Sequence, residues 1–279
     1  MLRVSQLDEV TRFDSALSVA GWGYYWTTFY YVDGLLIDTG CAHTAGKLRD
    51  YLLDKKLNSI VNTHTHEDHI GANGLLQEKW NELTIYAHPK ALPVLTSPRE
   101  VQPLQLYRQL FWGWPKPSQG QAVEDGETIN IPKHVFKIIH TPGHSPDHLC
   151  LYEPERGWIF TGDLFVGGRD RGVVAGCDIW QMIASLKKIA ALPLTRMFPG
   201  SARTRDNPHE DLSARINYLE ETGERVTELH GKGWNVDSIA REVFGGPMLI
   251  EFITRGHFSR RNLVLSFLDS PESKGDTHA

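Results

Sequence analysis

A run of six residues at positions 64–69, HTHEDH, carries four side chains that can bind a metal ion. It follows a short segment that predicts a strand, and in an extended segment alternate side chains point to the same side. The imidazoles of His64 and His66 can therefore converge on one ion, while Asp68 and His69 can face the same cavity from the turn that follows. Three imidazoles and a carboxylate suit Zn²⁺, Fe²⁺ or Mn²⁺. The spacing therefore predicts a metal site.

Two later segments carry groups of the same kind, each just after a predicted strand. TPGH places His144 beyond a strand at 135–139, and TGD places Asp163 beyond a strand at 158–161. Loops at strand ends on a common sheet edge are where ligands and catalytic groups collect. We therefore expect His144 and Asp163 to join the site formed by the first segment.

The elements that must position these groups alternate between strands and helices. Aromatic and β-branched residues at 24–32 predict a strand, and Asp33-Gly34 predicts a tight hairpin turn into the next one. Asp178 can cap a helix whose apolar residues recur at helical spacing. Further strands are predicted at 35–37, 59–62, 135–139, 150–152 and 158–161, and a further helix at 47–53. This order indicates mixed α and β layers.

Two segments depart from this alternation. Residues 97–125 resemble an insertion, and they hold an aromatic group comprising Tyr107, Phe111, Trp112 and Trp114. Long loops in compact domains are usually functional when they are ordered, so this group is interpreted either as a satellite hydrophobic cluster or as the wall of a substrate pocket. After residue 205 the apolar spacing becomes helical, with helices predicted at 212–229, 236–243 and 259–268.

The composition is that of a globular protein, with 41% hydrophobic and 23% charged residues, which excludes intrinsic disorder and fibrous structure. A net charge of −5 provides no basic surface for bulk binding of nucleic acid or anionic membranes. The N-terminal segment lacks the basic start and apolar run of a signal peptide, and no apolar stretch approaches the roughly 20 residues of a membrane span. With three scattered cysteines, the expected location is the reducing cytoplasm.

Together these motifs resemble the metallo-β-lactamase superfamily. HTHEDH is similar to its HxHxDH signature, TPGH to its third metal-binding region, and FTGD to the region of its bridging aspartate. Asp38-Thr39-Gly40 also resembles the DTG turn near the start of that fold. The resemblance implies an α+β fold, an αββα sandwich of two mixed sheets with helices outside. It places this core at residues 1–205 and a helical, winged-helix-like extension at 206–279.

The resemblance also implies a role for each candidate metal ligand. The first metal would be held by His64, His66 and His144, the second by Asp68 and His69, and Asp163 would bridge the two. Two Zn²⁺ ions are expected, with iron or manganese as alternatives.

The last ligand of the superfamily is usually a histidine, and here the matching residue is Ser201, which would weaken the second metal site. Asp206 and His209 follow soon after and are candidates to compensate. His148, four residues after His144, is interpreted as a structural histidine, with support of a metal ligand as the alternative role.

The implied function is a metal-dependent hydrolase that attacks a small ester, thioester or lactone with a metal-bound hydroxide, with Asp68 accepting or returning the proton. The alternatives are a mononuclear iron sulfur (persulfide) dioxygenase, which needs one metal, and a nuclease acting on single-stranded RNA. The expected partner is a small-molecule substrate. Neither a membrane nor a nucleic acid is an expected partner, and a homodimer is left open.

Overall fold

The structure, a computed structural model, describes residues 1–102, 105–201 and 203–269. Pro103 of the predicted insertion and residues 270–279 of the predicted extension lie outside the described residues. The strands are β1 (Leu2–Leu7), β2 (Val10–Val19), β3 (Trp22–Val32), β4 (Leu35–Ile37), β5 (Ser59–Val61), β6 (Thr84–Ala87), β7 (Gln121–Ala122), β8 (Thr128–Ile131), β9 (His134–His140), β10 (Leu149–Glu153), β11 (Trp158–Gly162), β12 (Val173–Val174), β13 (Arg196–Pro199) and β14 (Phe258–Ser259).

Twelve of these strands form two large mixed sheets. The first contains β1 to β7 in sequence order, antiparallel as far as β4 and parallel from β4 onwards. The second has the order β13-β11-β10-β9-β8, in which only β13 and β11 pair in parallel. The predicted hairpin turn between β3 and β4 is confirmed, with φ of +44° at Asp33 and +91° at Gly34. Positive φ at both central residues is what a type I′ turn requires.

The described residues form eleven α-helices, some of which cover the outer faces of the two sheets. They are α1 (Ala45–Leu52), α2 (Glu67–Ile70), α3 (Asn73–Lys79), α4 (Leu92–Thr96), α5 (Pro98–Val101), α6 (Leu106–Trp112), α7 (Ile179–Ala190), α8 (Pro208–Gly231), α9 (Val236–Phe244), α10 (Leu249–Ile253) and α11 (Arg260–Leu268). The predicted N-cap of α7 is confirmed, because the Asp178 carboxylate accepts a hydrogen bond from the backbone N–H of Gln181. None of the helices in the described part of the chain is both long and apolar enough to cross a bilayer.

The sheets pack against each other because side chains alternate between the two faces of each strand. Along β3, Tyr30 and Val32 are buried between the sheets, where the ring of Tyr30 meets those of Phe160 and Phe198 at 5.3 and 5.4 Å between centroids. The neighbouring Phe29 faces the other way, into the cluster that α1 and α3 cover. The structure therefore confirms the predicted αββα sandwich.

The C-terminal helices pack on the second sheet through α7. Side chains from α8, α9 and α11 share one buried hydrophobic cluster with α7, and the indole N–H of Trp180 donates to the carbonyl of Phe267 at 3.0 Å. The helical character predicted for this region is confirmed. The short elements α10 and β14 were not predicted, since so few residues carry no periodic signal. The boundary at residue 205 and the winged-helix-like description stay predictions.

The insertion contains elements that the sequence analysis did not predict, namely α5, α6 and the edge strand β7. Phe111 of α6 packs on Tyr25 of β3 with 4.2 Å between ring centroids, and Trp112 contacts Phe111 edge-on. One turn earlier on α6, the hydroxyl of Tyr107 lies 2.6 Å from Nδ1 of His257 in the C-terminal region. The aromatic residues thus form a cluster that joins the insertion to two other parts of the molecule.

The buried cysteines give a test of this packing. Burial raises the pKa of Cys150 and Cys177 to about 12 and also raises that of Cys41, and none of the three forms a disulfide. Because the thiolate is the reactive form, we expect the folded protein to react with dithiobis(nitrobenzoic acid) at pH 7 at least about 100-fold more slowly than the unfolded protein. In guanidinium chloride, all three cysteine thiols should react with the reagent. A thiol that reacts rapidly in the folded protein would contradict the packing described for it.

Candidate metal centre

The candidate ligands meet because the strands that precede them end at the same edge. The strands β4 and β5 are parallel neighbours, so Asp38 and His64 emerge side by side. In the second sheet β9 and β11 both run antiparallel to β10, so His144 and Asp163 leave from one edge as well. The backbone N–H of Leu149 donates to the carbonyl of Thr63 at 2.7 Å and joins the two sheets there.

Three imidazole nitrogens converge at this edge. Nδ1 of His66 lies 3.0 Å from Nε2 of His64 and 3.0 Å from Nε2 of His144. Burial, together with the neighbouring imidazoles, lowers the pKa of His64 and of His66 well below the usual value, and burial also lowers that of His144. The three rings are therefore neutral at pH 7, which is the form that binds a metal.

The tautomer of His64 follows from its hydrogen bonds. The hydroxyl of Thr63 donates its only proton to Oδ2 of Asp38 at 2.7 Å. It must therefore accept a hydrogen bond from Nδ1–H of His64, which lies 3.1 Å away. This arrangement leaves the lone pair of Nε2 free to face His66, as is typical of histidines that bind metals.

A second group of potential ligands lies beside the first. Nδ1–H of His69 donates to Asp38 at 2.8 Å, and its Nε2 lies 3.5 Å from Oδ2 of Asp163 and 3.8 Å from Oδ2 of Asp68. The same Asp163 oxygen is 3.8 Å from Nε2 of His144. Asp163 thus lies between the two groups.

The position of Asp68 is set by the first sheet. Its Oδ2 accepts a hydrogen bond of 2.6 Å from the hydroxyl of Thr27 on β3. Among the described residues, two groups have all their potential ligand atoms within 4.8 Å of one another, and neither includes Asp68; they comprise His64, His66 and His144, and His64, His69 and Asp163. Asp68 therefore stands beside His69 but outside these two groups.

The residues present fit a bound cation. Among the described residues, Nε2 of His69 and Oδ1 of Asp163 are buried without a hydrogen-bond partner, which is costly unless another group completes them. Burial alone would lower the pKa of His69, but the carboxylates of Asp163, Asp38 and Asp68 outweigh it and raise this pKa well above the usual value. The pocket therefore favours positive charge, and its nitrogen and oxygen donors are those that zinc and iron accept.

Comparison with known proteins agrees with this geometry. Residues 28–201, more than half of the chain, match the sequence model of the metallo-β-lactamase superfamily. The chain belongs to this superfamily. Its members include metal-dependent hydrolases, and the resemblance seen in the sequence motifs is confirmed.

Individual relatives show how far the likeness extends. An uncharacterised protein of Aquifex aeolicus (strain VF5) is 29% identical over 158 residues, covering 56% of this chain and 72% of that protein. The metallo-β-lactamase family protein TTHA1429 from Thermus thermophilus is 17% identical, with a TM-score of 0.67 over 96% of this chain and 95% of that one. TTHA1623, solved in a di-iron-bound form, is 30% identical, with a TM-score of 0.54 over 68% of this chain and 94% of that one.

One residue departs from the superfamily pattern. Ser201 stands where a histidine usually follows the final core strand, and its side chain is exposed. The preceding Gly200 lies directly against the site, because a Cβ atom there would come within 2.8 Å of Oδ1 of Asp163. The chain that follows β13 therefore approaches the site at Gly200, but the next residue, Ser201, has no imidazole to offer.

Neither candidate for replacing that histidine does so. The carboxylate of Asp206 accepts a hydrogen bond of 2.8 Å from Nε of Arg196. Nε2 of His209 accepts one of 3.3 Å from the backbone N–H of Leu194. Both side chains are engaged away from the candidate ligands, so the structure does not bring either of these two candidates to the position of the missing histidine.

His148 lies beneath the first group of imidazoles and is fully buried. The hydroxyl of Thr141 donates to Sγ of Cys150, so it accepts from Nδ1–H of His148 at 2.9 Å. The ring of His148 stands 5.2 Å from that of His64, measured between centroids. His148 therefore packs against a candidate ligand, and its interpretation as a structural histidine stays a prediction.

Some residues that position the candidate ligands were not predicted from the sequence. Asp38 was noted only as part of the DTG turn, although it accepts hydrogen bonds from both His69 and Thr63. Its position directly after a buried strand was the sequence feature that could have indicated a role at the site. Thr27, which holds Asp68, gave no such signal because it lies within the long strand β3, far from the motifs.

The motif also contains a buried ion pair. Glu67 is completely buried between the ligand residues, and burial raises its pKa to about 7 although Arg108 opposes this shift. Nε of Arg108, on α6 of the insertion, lies 3.1 Å from Oε2 of Glu67, and Arg108 is itself buried. The insertion is thereby joined to the loop that carries the candidate ligands.

We expect Arg108→Met to lower the free energy of unfolding by about 3–5 kcal/mol, because removing one partner leaves a buried charge uncompensated. Arg225→Met is the matched control, since Arg225 forms an exposed pair with Glu228 at 2.7 Å; it should cost no more than about 1 kcal/mol. Urea denaturation at pH 8 measures both values. Equal losses in the two variants would show that the buried pair does not anchor the insertion.

Proposed function

We propose that this protein is a metal-dependent hydrolase of a small ester, thioester or lactone. The observation that carries the proposal is the convergence of three neutral imidazole nitrogens, from His64, His66 and His144, beside the carboxylate of Asp163. This donor set leaves room for a coordinated water and a substrate oxygen, as in open catalytic metal sites.

The residues divide into two ligand groups. In the proposal, His64, His66 and His144 hold one metal, His69 and Asp68 hold a second, and Asp163 contacts both. We propose zinc, because neutral imidazole with few carboxylates is its usual environment. The di-iron form of TTHA1623 supports iron as the alternative.

A divalent metal bound here would supply Lewis acidity and lower the pKa of a coordinated water to about 7. The chain's own groups would orient and deliver protons. The hydrogen bond from Thr27 occupies one oxygen of Asp68, and the other would accept a proton and return it to the leaving group. Asp38 would keep His69 and, through Thr63, His64 in the tautomers that direct their Nε2 atoms to the site.

A mononuclear iron sulfur dioxygenase is the second candidate, and Ser201 favours it. Without the superfamily histidine, the second group holds only Asp68, His69 and the shared Asp163. An enzyme that needs one metal tolerates this loss, whereas a two-metal hydrolase binds its second ion more weakly.

The remaining features support a small-molecule enzyme in the cytoplasm rather than a nuclease. The three cysteines are free, in keeping with a reducing compartment. In the C-terminal region the guanidinium of Arg260 binds Glu251 at 2.7 Å, and that of Arg261 binds Asp237 at 2.9 Å. Because both guanidinium groups are already paired, these two arginines offer little charge to RNA phosphates.

We expect the purified wild-type protein to contain close to two equivalents of zinc and to hydrolyse p-nitrophenyl acetate or a thioester. His64→Ala and Asp163→Ala should each lower kcat/KM by more than about 100-fold. The loss of a residue that only hydrogen-bonds to a metal ligand already costs about 10–100-fold. Elemental analysis and initial rates provide the measurements.

His209→Ala is the matched control, since this histidine lies outside the site, and it should keep both metal and activity. One equivalent of iron with oxygen uptake on a persulfide substrate would replace the hydrolase with the dioxygenase. Wild-type rates in His64→Ala would overturn the site itself.

The substitution at Ser201 predicts unequal metal affinities. The second metal should be lost first under mild chelation, and Ser201→His should tighten it by at least about 10-fold by restoring an imidazole ligand. Competition with a chromophoric chelator measures both sites. Ser5→His, an exposed position on β1, controls for an added surface histidine. Two equally tight sites in the wild-type protein would show that another group already fills the position of the missing histidine.

A further inference from the structure

A small cavity opens directly beside the candidate metal ligands. It has a volume of about 220 Å³, and its lining includes His144 and Asp163. Its side walls are largely apolar and include Val166, Val173, Met182 and Phe258. Pockets that bury a whole drug-sized ligand occupy roughly 300–1,000 Å³, so this cavity has room for only part of a substrate.

One wall of the cavity comes from the C-terminal region. Val174 of β12 pairs in register with Phe258 of β14, which brings the phenyl ring to the segment that follows Asp163. Gly172 permits this contact, because a Cβ atom there would lie 3.1 Å from Cε1 of Phe258. The position of the ring is therefore set by backbone pairing and close packing.

Two charged residues that line the same cavity neutralise each other. Arg215 of α8 is buried, and its guanidinium forms an ion pair with Asp170 and donates to the carbonyl of Gly168 at 3.2 Å. The hydroxyl of Tyr218 donates to the carbonyl of Asp170 at 2.7 Å and holds the same segment. Apart from the candidate metal ligands His144 and Asp163, the lining residues therefore offer no unpaired charge to an ionic group, and burying one against the apolar walls would be unfavourable.

We propose that this cavity holds the acyl group of the substrate, so that the enzyme selects short, uncharged, apolar acyl groups and Phe258 sets their maximum length. This inference rests on the proposed hydrolase function. An acyl group in the cavity would keep its carbonyl beside His144 and Asp163, while the leaving group would point away from the apolar walls. Each methylene that enters should raise kcat/KM about fourfold, the factor that corresponds to about 0.8 kcal/mol of apolar burial.

The experiment uses the zinc-loaded full-length protein and the p-nitrophenyl esters of acetate, butyrate, hexanoate and octanoate. In the wild type, kcat/KM should rise from acetate to butyrate or hexanoate and then fall at octanoate. Phe258→Ala should enlarge the cavity and raise the octanoate-to-butyrate ratio at least about 10-fold. Val166→Phe should make the cavity smaller and shift the preferred acyl length towards acetate. This variant also tests the proposal if Phe258→Ala does not fold.

Phe252→Ala is the matched control, because Phe252 belongs to the same C-terminal region but is 68% exposed. It should keep the wild-type order of substrates. A second measurement does not depend on turnover: millimolar sodium butyrate should raise the Tm of the wild type more than octanoate does, and Phe258→Ala should reverse this order.

The outcomes separate the two proposals. Ester hydrolysis with the same chain-length profile in the wild type, Phe258→Ala and Val166→Phe would overturn the acyl cavity and keep the hydrolase. If the protein hydrolyses no ester but Phe258→Ala still reverses the order of the Tm increases caused by butyrate and octanoate, the hydrolase proposal is overturned and the acyl cavity is kept. Absence of hydrolysis together with equal Tm shifts for butyrate and octanoate would overturn both.

Discussion

The buried carboxylate of Asp38 is the interaction on which the site depends. It accepts hydrogen bonds from the backbone N–H and hydroxyl of Thr63 and from the imidazole of His69. Through these contacts the Asp38 side chain orients His69 directly and His64 through Thr63. Because Asp38 is buried, water does not replace these hydrogen bonds. A carboxylate in such a place is tolerable only because every bond to it comes from a fixed donor. The sandwich supplies those donors by ending β4 and β5 at the same edge.

The C-terminal helices are part of this architecture. Arg215 and Tyr218 of α8 bind the segment that follows Asp163, and β14 pairs with β12 from the same segment. Near the first sheet, α6 of the predicted insertion reaches α2, which carries Asp68 and His69, through the ion pair of Arg108 with Glu67. The two sheets thus provide the metal-binding edge, while α8 and β14 of the C-terminal region contribute residues to the cavity beside it. This division of labour is why membership of the superfamily does not name a substrate.

Much of this could be predicted from the sequence because the relevant signals are local. The spacing of HTHEDH places His64 and His66 on one side of an extended segment, and hairpin and capping residues such as Asp33-Gly34 and Asp178 act within a few residues of themselves. The signals failed where partners are distant in the chain. Arg108 reaches Glu67 from 41 positions away, and nothing in either segment indicates the other. His209 shows the converse, because it is close to Ser201 in the sequence but its Nε2 accepts a hydrogen bond from Leu194 outside the site.

The sequence by itself determined the fold class, the superfamily and the set of side chains able to bind a metal. Their types and short-range spacing are covalent facts, and strand ends at a shared edge follow from the order of the elements. Only the tertiary structure decided which nitrogen of each imidazole faces the site, that Asp38 orients two of the rings, and that Phe258 closes a cavity beside Asp163. These features depend on burial and on hydrogen bonds between segments far apart in the chain, and a pattern of neighbouring residues carries no information about them.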